Sequence, residues 1–533
     1  MSEDGTLYFG GEIYTVDDAC PRVQALAVQH GIIVAAGSLE DCRNALSVKY
    51  QPIDLSGATL LPGFIDTHLH PVALVFYDMN VNLSLAGSVA EMQSMLRDAT
   101  RDKTTAGWII GLNFDEQSLV EKRLPNRHDL DDDCPDNPVL ILKHDGHMAI
   151  GNTQAIIAAG ITAATSDPEG GRIDREQDGF PAGVFREEAK QVLLNAMPMP
   201  EMETLFDSAA GTFSALVSQG ITSAGVVLQT DEEGPAGTLG AFDVMFMEMV
   251  LEHVPFNMYS MLITKDIARI EEARRTALHH QELGSHRIGA IKIFADGTFG
   301  SATAFMLEPF SDQPDKSGFM THSPEEIYEL MVAAHRADIQ IGIHAIGDAA
   351  NRICIDLYER LLKEYPKADH RHRLEHASQL DVKMIADIAR LGLVVSTQPL
   401  FIHSEKNWLH KRLGHDRARW TYPLRALLDA GVRVAGASDA PVESTEVLHA
   451  IQCSVTREGF EVQQAINAAE AVRMFTIDAA FAQGEDSIKG SLGPGKRADM
   501  IILSANPVSV EPEKIRDIKV LQTIIGGNTV YQS

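Results

Sequence analysis

Two histidines one residue apart, His68 and His70, close the apolar run Leu60-Leu61-Pro62-Gly63-Phe64-Ile65-Asp66-Thr67. Extended backbone sends alternate side chains to one face, so residues two apart can both reach one metal ion. His344 ends Ile339-Gln340-Ile341-Gly342-Ile343, and His376 ends His372-Arg373-Leu374-Glu375. Asp439 follows Val434-Ala435-Gly436-Ala437-Ser438. Any one of these is an ordinary polar residue after a strand. Four histidines and an aspartate at comparable strand ends make a ligand set for divalent metals, zinc first, with manganese, iron and cobalt as the other choices. The remaining histidines of the chain's 20 lack this pattern.

The sixth residue is Lys292, inside Gly289-Ala290-Ile291-Lys292-Ile293-Phe294-Ala295-Asp296-Gly297. Burying an ammonium in an apolar strand is expensive, so this lysine should be neutral, paired or modified. A neutral amine can add carbon dioxide. The resulting carbamate is an anion with two oxygens that can bridge two cations, where an ammonium would repel them. The plainer alternative is an ion pair between Lys292 and Asp296.

Positioning these residues needs a repeating scaffold. Apolar strand-like segments fall at 60–66, 221–227, 256–262, 288–294, 339–344, 373–375, 393–397 and 432–437. Helical stretches at 203–219, 324–337, 349–364, 382–391 and 423–430 alternate with them. Eight strands with intervening helices predict an α/β fold, a TIM-like (β/α)8 barrel, whose chemistry sits at the strands' C-terminal ends. The interval 105–200 breaks the rhythm and reads as a subdomain inserted after barrel strand 1. Short β-prone segments in residues 1–60 and again in 486–533 predict one small β-sandwich domain made from both termini, around a barrel spanning 61–485.

Composition narrows the function. The 533 residues carry 45 basic and 74 acidic side chains, a net charge of −29, and no basic run, which argues against a nucleic-acid partner. No stretch approaches the roughly 18 apolar residues of a membrane span, so no membrane partner is expected. The start, Met1-Ser2-Glu3-Asp4-Gly5, lacks signal-peptide character, and five scattered cysteines lack any CxxC pair. Both features predict a cytoplasmic protein with reduced thiols.

Taken in order, the motifs Leu61-Pro62-Gly63-Phe64-Ile65-Asp66-Thr67-His68-Leu69-His70, Ile291-Lys292-Ile293-Phe294-Ala295-Asp296-Gly297, Ile343-His344-Ala345-Ile346-Gly347-Asp348, Arg373-Leu374-Glu375-His376-Ala377 and Ala437-Ser438-Asp439-Ala440-Pro441 are specific. With them go Gly490-Ser491-Leu492-Gly493-Pro494-Gly495-Lys496-Arg497-Ala498-Asp499 and, in the insertion, Asp145-Gly146-His147-Met148-Ala149-Ile150-Gly151-Asn152 and Gly183-Val184-Phe185-Arg186-Glu187. Over nearly its whole length the chain resembles the amidohydrolase superfamily, in its YtcJ-like, amidohydrolase-3 branch related to N-substituted formamide deformylases.

That resemblance implies a binuclear centre of two divalent ions, zinc by preference. His68, His70 and Asp439 would hold the buried ion and His344 and His376 the exposed one, with a CO2-derived carbamate on Lys292 and a hydroxide between them. Asp439 would be the catalytic acid–base in hydrolysis of a non-peptide C–N bond, in a linear amide or N-formyl amine. The alternatives are a deaminase or a cyclic amide or lactone hydrolase on the same scaffold, or a scaffold without catalysis. Lys292 argues against the mononuclear deaminases, and the complete ligand set argues against a dead scaffold. Asp115, Glu116, His147, Glu187 and His403 are the candidate contacts to a small amide-type substrate, and Phe401 reads as a packing residue. Homo-oligomerisation, as a dimer, is expected by analogy alone.

Overall fold

The computed structural model describes residues 5–533 apart from 101–106, 117, 144–147, 169, 188, 199 and 231–236. His147 therefore lies outside the described residues. The chain divides into two compact units, one of residues 1–72 and 213–533 and one of Ala73–Thr212.

The larger unit holds eight parallel strands, hydrogen-bonded in sequence order: β1 (Phe64–Leu69), β2 (Ile221–Gln229), β3 (Asn257–Ile263), β4 (His286–Phe294), β5 (Gln340–Ala345), β6 (Arg373–His376), β7 (Val394–Thr397) and β8 (Val434–Gly436). Most are buried along their whole length, as expected of parallel strands covered on both faces. Helices α1 (Pro324–Arg336), α2 (Asp348–Glu364) and α3 (Val382–Leu391) fill successive crossovers. Their starts are legible: Ser323 and Glu326 form a capping box before α1 with Pro324 at its first position, and Asp381 caps α3 through the Met384 N–H. Gly392 ends α3 in the left-handed conformation, at φ 67°.

The structure corrects the first strand. The run 60–66 is split at Gly63. Thr59–Pro62 joins the terminal sheet, and the barrel strand proper is Phe64–Leu69. A side chain at Gly63 would stand 2.3 Å from Thr222, so only glycine lets the chain pass from one sheet to the other here. The shift places His68 within β1 and His70 just beyond it. Strands β1 and β8 then close the ring through the segments that follow them. Asp439 N–H donates to the His68 carbonyl at 2.7 Å, and His70 N–H donates to the Ala440 carbonyl at 2.8 Å.

Both termini build a second sheet in the same unit. Strand Gly5–Tyr14 pairs antiparallel with Arg22–Gln29 and, on its other edge, parallel with Tyr50–Asp54 and then Thr59–Pro62. Met500–Leu503, Val520–Ile525 and Asn528–Gln532 extend the sheet from the C-terminal end. With Ile32–Gly37 paired to Arg22–Gln29, eight strands form one hydrogen-bonded sheet that branches where Gly10 and Gly11 break the register of the first strand. The sequence pattern located most of these strands, but not Tyr50–Asp54, the membership of Thr59–Pro62, or the branching.

The smaller unit is built on a six-stranded sheet ordered Gly171–Arg175, Pro181–Glu187, Met148–Gly151, Val139–Lys143, Ile109–Phe114 and Val81–Asn82. It starts earlier and ends later than the interval 105–200. Helix Val89–Thr100 buries Val89, Met92 and Leu96 against this sheet's own core. Asn152 ties the unit together while fully buried. Its amide oxygen accepts from Val139 and Ala155 N–H, and its amide nitrogen donates to the Cys134 and Asn137 carbonyls.

Candidate metal centre

All six predicted ligands belong to the larger unit, and the strand ends gather them. His68 is wholly buried in β1, and its Nε2 lies 2.9 Å from Lys292 Nζ on β4 and 3.4 Å from Asp439 Oδ1 beyond β8. His70 Nε2 lies 3.2 Å from the same Asp439 oxygen. The ring of His376, at the end of β6, is centred 5.2 Å from that of His68 and 4.4 Å from that of His344 on β5. His68, His70 and Asp439 present donor atoms within 4.8 Å of one another. Two of the candidate ligand positions carry backbone strain: His376 has φ 68° and Asp439 φ 61°, a region that side chains with a Cβ seldom occupy. Close approach is also built in at Gly225 of β2, where a Cβ would stand 2.2 Å from the Thr67 carbonyl.

Neighbouring groups fix which ring nitrogen is bare. Glu375 Oε2 accepts from His68 Nδ1–H at 2.6 Å, leaving Nε2 with its lone pair toward Lys292 and Asp439. Gln398 Oε1 accepts from His376 Nδ1–H at 2.9 Å, freeing its Nε2. His344 Nε2–H donates to the Gly297 carbonyl at 3.1 Å, so its free nitrogen is Nδ1. Phe401 stacks parallel to His376, with ring centres 6.2 Å apart, in keeping with a packing role.

Electrostatics favour a cation at this point. Burial, then the Lys292 charge, pushes His68 down to about 4, and burial pushes His376 down to about 3 and His344 well below its ordinary value. These rings are therefore neutral lone-pair donors at neutral pH. Burial would raise the Asp439 carboxyl, but the His70 bond and the surrounding imidazoles outweigh it and hold it far below the usual range. Burial pushes Lys292 down to about 8, which gives the amine a neutral fraction able to add carbon dioxide. The proposed Lys292–Asp296 pair finds no support. Asp296 accepts from the N–H groups of Phe305, Ile346 and Gly347, while Lys292 Nζ sits on His68 and 4.7 Å from the centre of the Phe294 ring.

Three supporting residues escaped the sequence reading. Arg373 and Glu375 are both completely buried and form two hydrogen bonds, at 2.7 and 2.9 Å, and Arg373 also holds the Thr67 carbonyl at 2.9 Å. Burial would raise the Glu375 carboxyl, but the Arg373 charge and the His68 bond hold it well below the carboxylate range. Asp66 Oδ1 accepts from the N–H groups of His68 and Ser438, linking the ends of β1 and β8. The available signal was alternation: Asp66, His68 and His70 share a face, as do Arg373 and Glu375, and charge on a buried strand needs a partner.

The predicted substrate contacts fall in both units. Asp115 and Glu116 follow strand Ile109–Phe114 in the smaller unit, and Glu116 pairs with Lys143 at 3.1 Å. Glu187 ends the strand Pro181–Glu187 of that unit, exposed and at φ 49°. His403 lies in the larger unit on α4 (Leu400–Glu405), hydrogen-bonded to Glu458.

Residues 51–531 match the amidohydrolase family. The chain belongs to the amidohydrolase family. This amidohydrolase is 28% identical to the Bacillus subtilis protein YtcJ over 99% of both chains. It is 29% identical to the N-substituted formamide deformylase of Arthrobacter pascens, covering 99% of this chain and 98% of that one. Among solved structures, an uncharacterized metal-dependent hydrolase from Pyrococcus horikoshii superposes with TM-score 0.76 at 23% identity, covering 96% of this amidohydrolase and 99% of that chain. At that identity the likeness concerns the fold. As a family member, this amidohydrolase is a hydrolase of carbon–nitrogen bonds. Among the described residues, no helix is long and apolar enough to cross a membrane.

Proposed function

We propose that this amidohydrolase hydrolyses a linear amide or N-formyl amine at a centre of two divalent cations, zinc by preference. His68, His70 and Asp439 would hold one ion, His344 and His376 the other, and Lys292 would bridge them as a carbamate. The observation that carries this reading is the convergence of neutral imidazoles and one ionised carboxylate on the Lys292 amine. Lys292 N–H points at the His68 lone pair, the direction a cation would take. The formamide deformylase at 29% identity supports the substrate class.

Such ions supply Lewis acidity, polarising a substrate carbonyl and acidifying a water. The remaining chemistry belongs to the chain. Glu375 and Gln398 lock the rings of His68 and His376 in one tautomer, so their Nε2 atoms stay unprotonated through a turnover. Asp439, ionised and aimed at the site, takes the proton of the attacking water at its carboxylate. It then returns that proton to the departing nitrogen, which leaves as a free amine.

The test combines metal and substrate. Zinc loading should place about two ions per chain on these six residues, and chelators should abolish activity. Lys292→Ala should bind less metal and be nearly inactive, with partial rescue by a short carboxylic acid. Asp439→Asn should lose about 10²–10⁴-fold in turnover. A screen of N-formyl amines, N-acyl amino acids, cyclic ureas and lactones should favour the first group. Full activity in chelator, or preference for a ring substrate, would reject the corresponding part of the proposal.

A further inference from the structure

A second group of metal-ligating side chains shares no residue with the centre above. His449 and Cys453 are one helical turn apart on α5 (Val447–Thr456), so both project from the same face. His403 comes from α4, and Glu458 from the 3₁₀ turn Arg457–Gly459 that follows α5. His403 Nδ1 lies 2.8 Å from Glu458 Oε2, and His449 Nε2 lies 3.1 Å from Oε1 of the same carboxylate. Donor atoms of these three residues fall within 4.8 Å of one another. The Cys453 Sγ, fully buried, lies 3.5 Å from Glu458 Oε1.

The turn is forced into this position. Arg457, Glu458 and Gly459 all have left-handed backbone, at φ 52°, 45° and 84°, and Glu461 follows at 45°. A completely buried Arg457 guanidinium fixes the turn by donating to the carbonyls of Phe460, Tyr422 and Thr421. Positive charge is already drawn to the cluster, because the Lys406 ammonium pairs closely with Glu458. The Lys406 side chain is one-quarter exposed. With half of its side chain exposed, His403 leaves an approach open.

We infer that His403, His449 and Glu458 form a separate zinc site that is structural rather than catalytic, completed when the Cys453 thiol, which stands outside that donor group but 3.5 Å from Glu458 Oε1, turns in as fourth donor. Two imidazoles, a carboxylate and a thiol match zinc's preference for mixed nitrogen, oxygen and sulfur ligands in a closed tetrahedral shell. Binding would form a sulfur–zinc bond, release the thiol proton to solvent and displace the Lys406 ammonium from Glu458. The ion would staple α4, whose Phe401 stacks on His376, to α5 beyond Asp439. The inference does not depend on the substrate proposed above.

The test replaces the native metal with cobalt(II) in the full-length protein. Cysteine is absent from the six-residue centre, so a near-ultraviolet thiolate-to-cobalt charge-transfer band would report only the new site. The wild type should show the band and hold about one equivalent more cobalt than Cys453→Ser combined with His449→Gln. Cys453→Ser alone should abolish the band, with circular dichroism confirming that the variant is folded. Lys406→Met should bind cobalt more tightly, because it removes the competing ammonium. A wild type without the band, a band that persists in Cys453→Ser, or unchanged cobalt affinity in Lys406→Met would each overturn the inference. The cluster would then be an ion-pair network around Glu458.

Discussion

The buried chain Arg373–Glu375–His68 shows what a single residue contributes to the centre. Glu375 does not face the space where the ligands converge; it holds the His68 ring from behind while Arg373 neutralises it. Two substitutions separate these duties. Glu375→Gln keeps the shape but weakens the grip on His68 Nδ1–H, and metal affinity should fall about 10–100-fold with the fold retained. Glu375→Ala leaves the Arg373 charge buried without its partner, and should cost roughly 3–5 kcal/mol of stability as well. Metal titration together with chemical denaturation distinguishes the two; equal stability losses in both variants would remove the positioning role. Histidine spacing and the odd lysine were legible because their chemistry is conspicuous in an apolar run. Glu375 was not, since its function depends on a contact 307 residues away in the chain.

At the scale of elements, α4 carries a carboxyl whose charge opposes folding. Burial pushes Glu405 up to about 8, although its Oε2 accepts from Tyr422 O–H at 2.6 Å. A carboxyl whose folded-state value exceeds its unfolded value of 4.5 favours the folded state fully only below that lower value. The contribution drains away as pH rises from 4.5 through about 8. Thermal midpoints should therefore decline across that interval, and Glu405→Gln should flatten the decline. Parallel profiles for the two proteins would contradict this. Helix and strand positions were readable from periodicity and caps, as at Ser323 and Asp381. The split at Gly63 was not, because Leu60-Leu61-Pro62-Gly63-Phe64-Ile65 reads as one apolar run, and only tertiary crowding against Thr222 separates two strands in it.

For the whole molecule, the terminal sheet makes both chain ends necessary. Met500–Leu503 pairs with Thr59–Pro62 on one edge and Val520–Ile525 on the other, and Thr523 O–H donates to the Val217 carbonyl. Deleting residues 520–533 would expose a buried apolar edge and leave a row of unpaired backbone groups. The shortened protein should lose cooperative thermal unfolding and aggregate, measured by calorimetry and light scattering. An unchanged, reversible transition would show that the last two strands are dispensable. The alternation of strands and helices made the barrel legible, and matching β-prone ends revealed the shared sheet. The extent of the insertion was hidden because Val89–Thr100 has the amphipathic face of any barrel helix, and only its burial against Ile109 and Phe114 assigns it to the smaller unit.

The seam between β1 and β8 also sets an order of events during synthesis. His70 and Asp439 touch across a separation of 369 residues, and Asp439 N–H closes onto the His68 carbonyl. A ribosome delivers the first histidine pair early and its aspartate partner only after most of the barrel has emerged. Until then the growing chain offers loose imidazoles and open strand edges, but no complete set of ligands. If the six residues hold metal as proposed, they can do so only late, once Asp439 has joined the seam. Any product truncated before residue 439 lacks the seam and the aspartate together, which leaves its β1 edge exposed to chaperones and proteases.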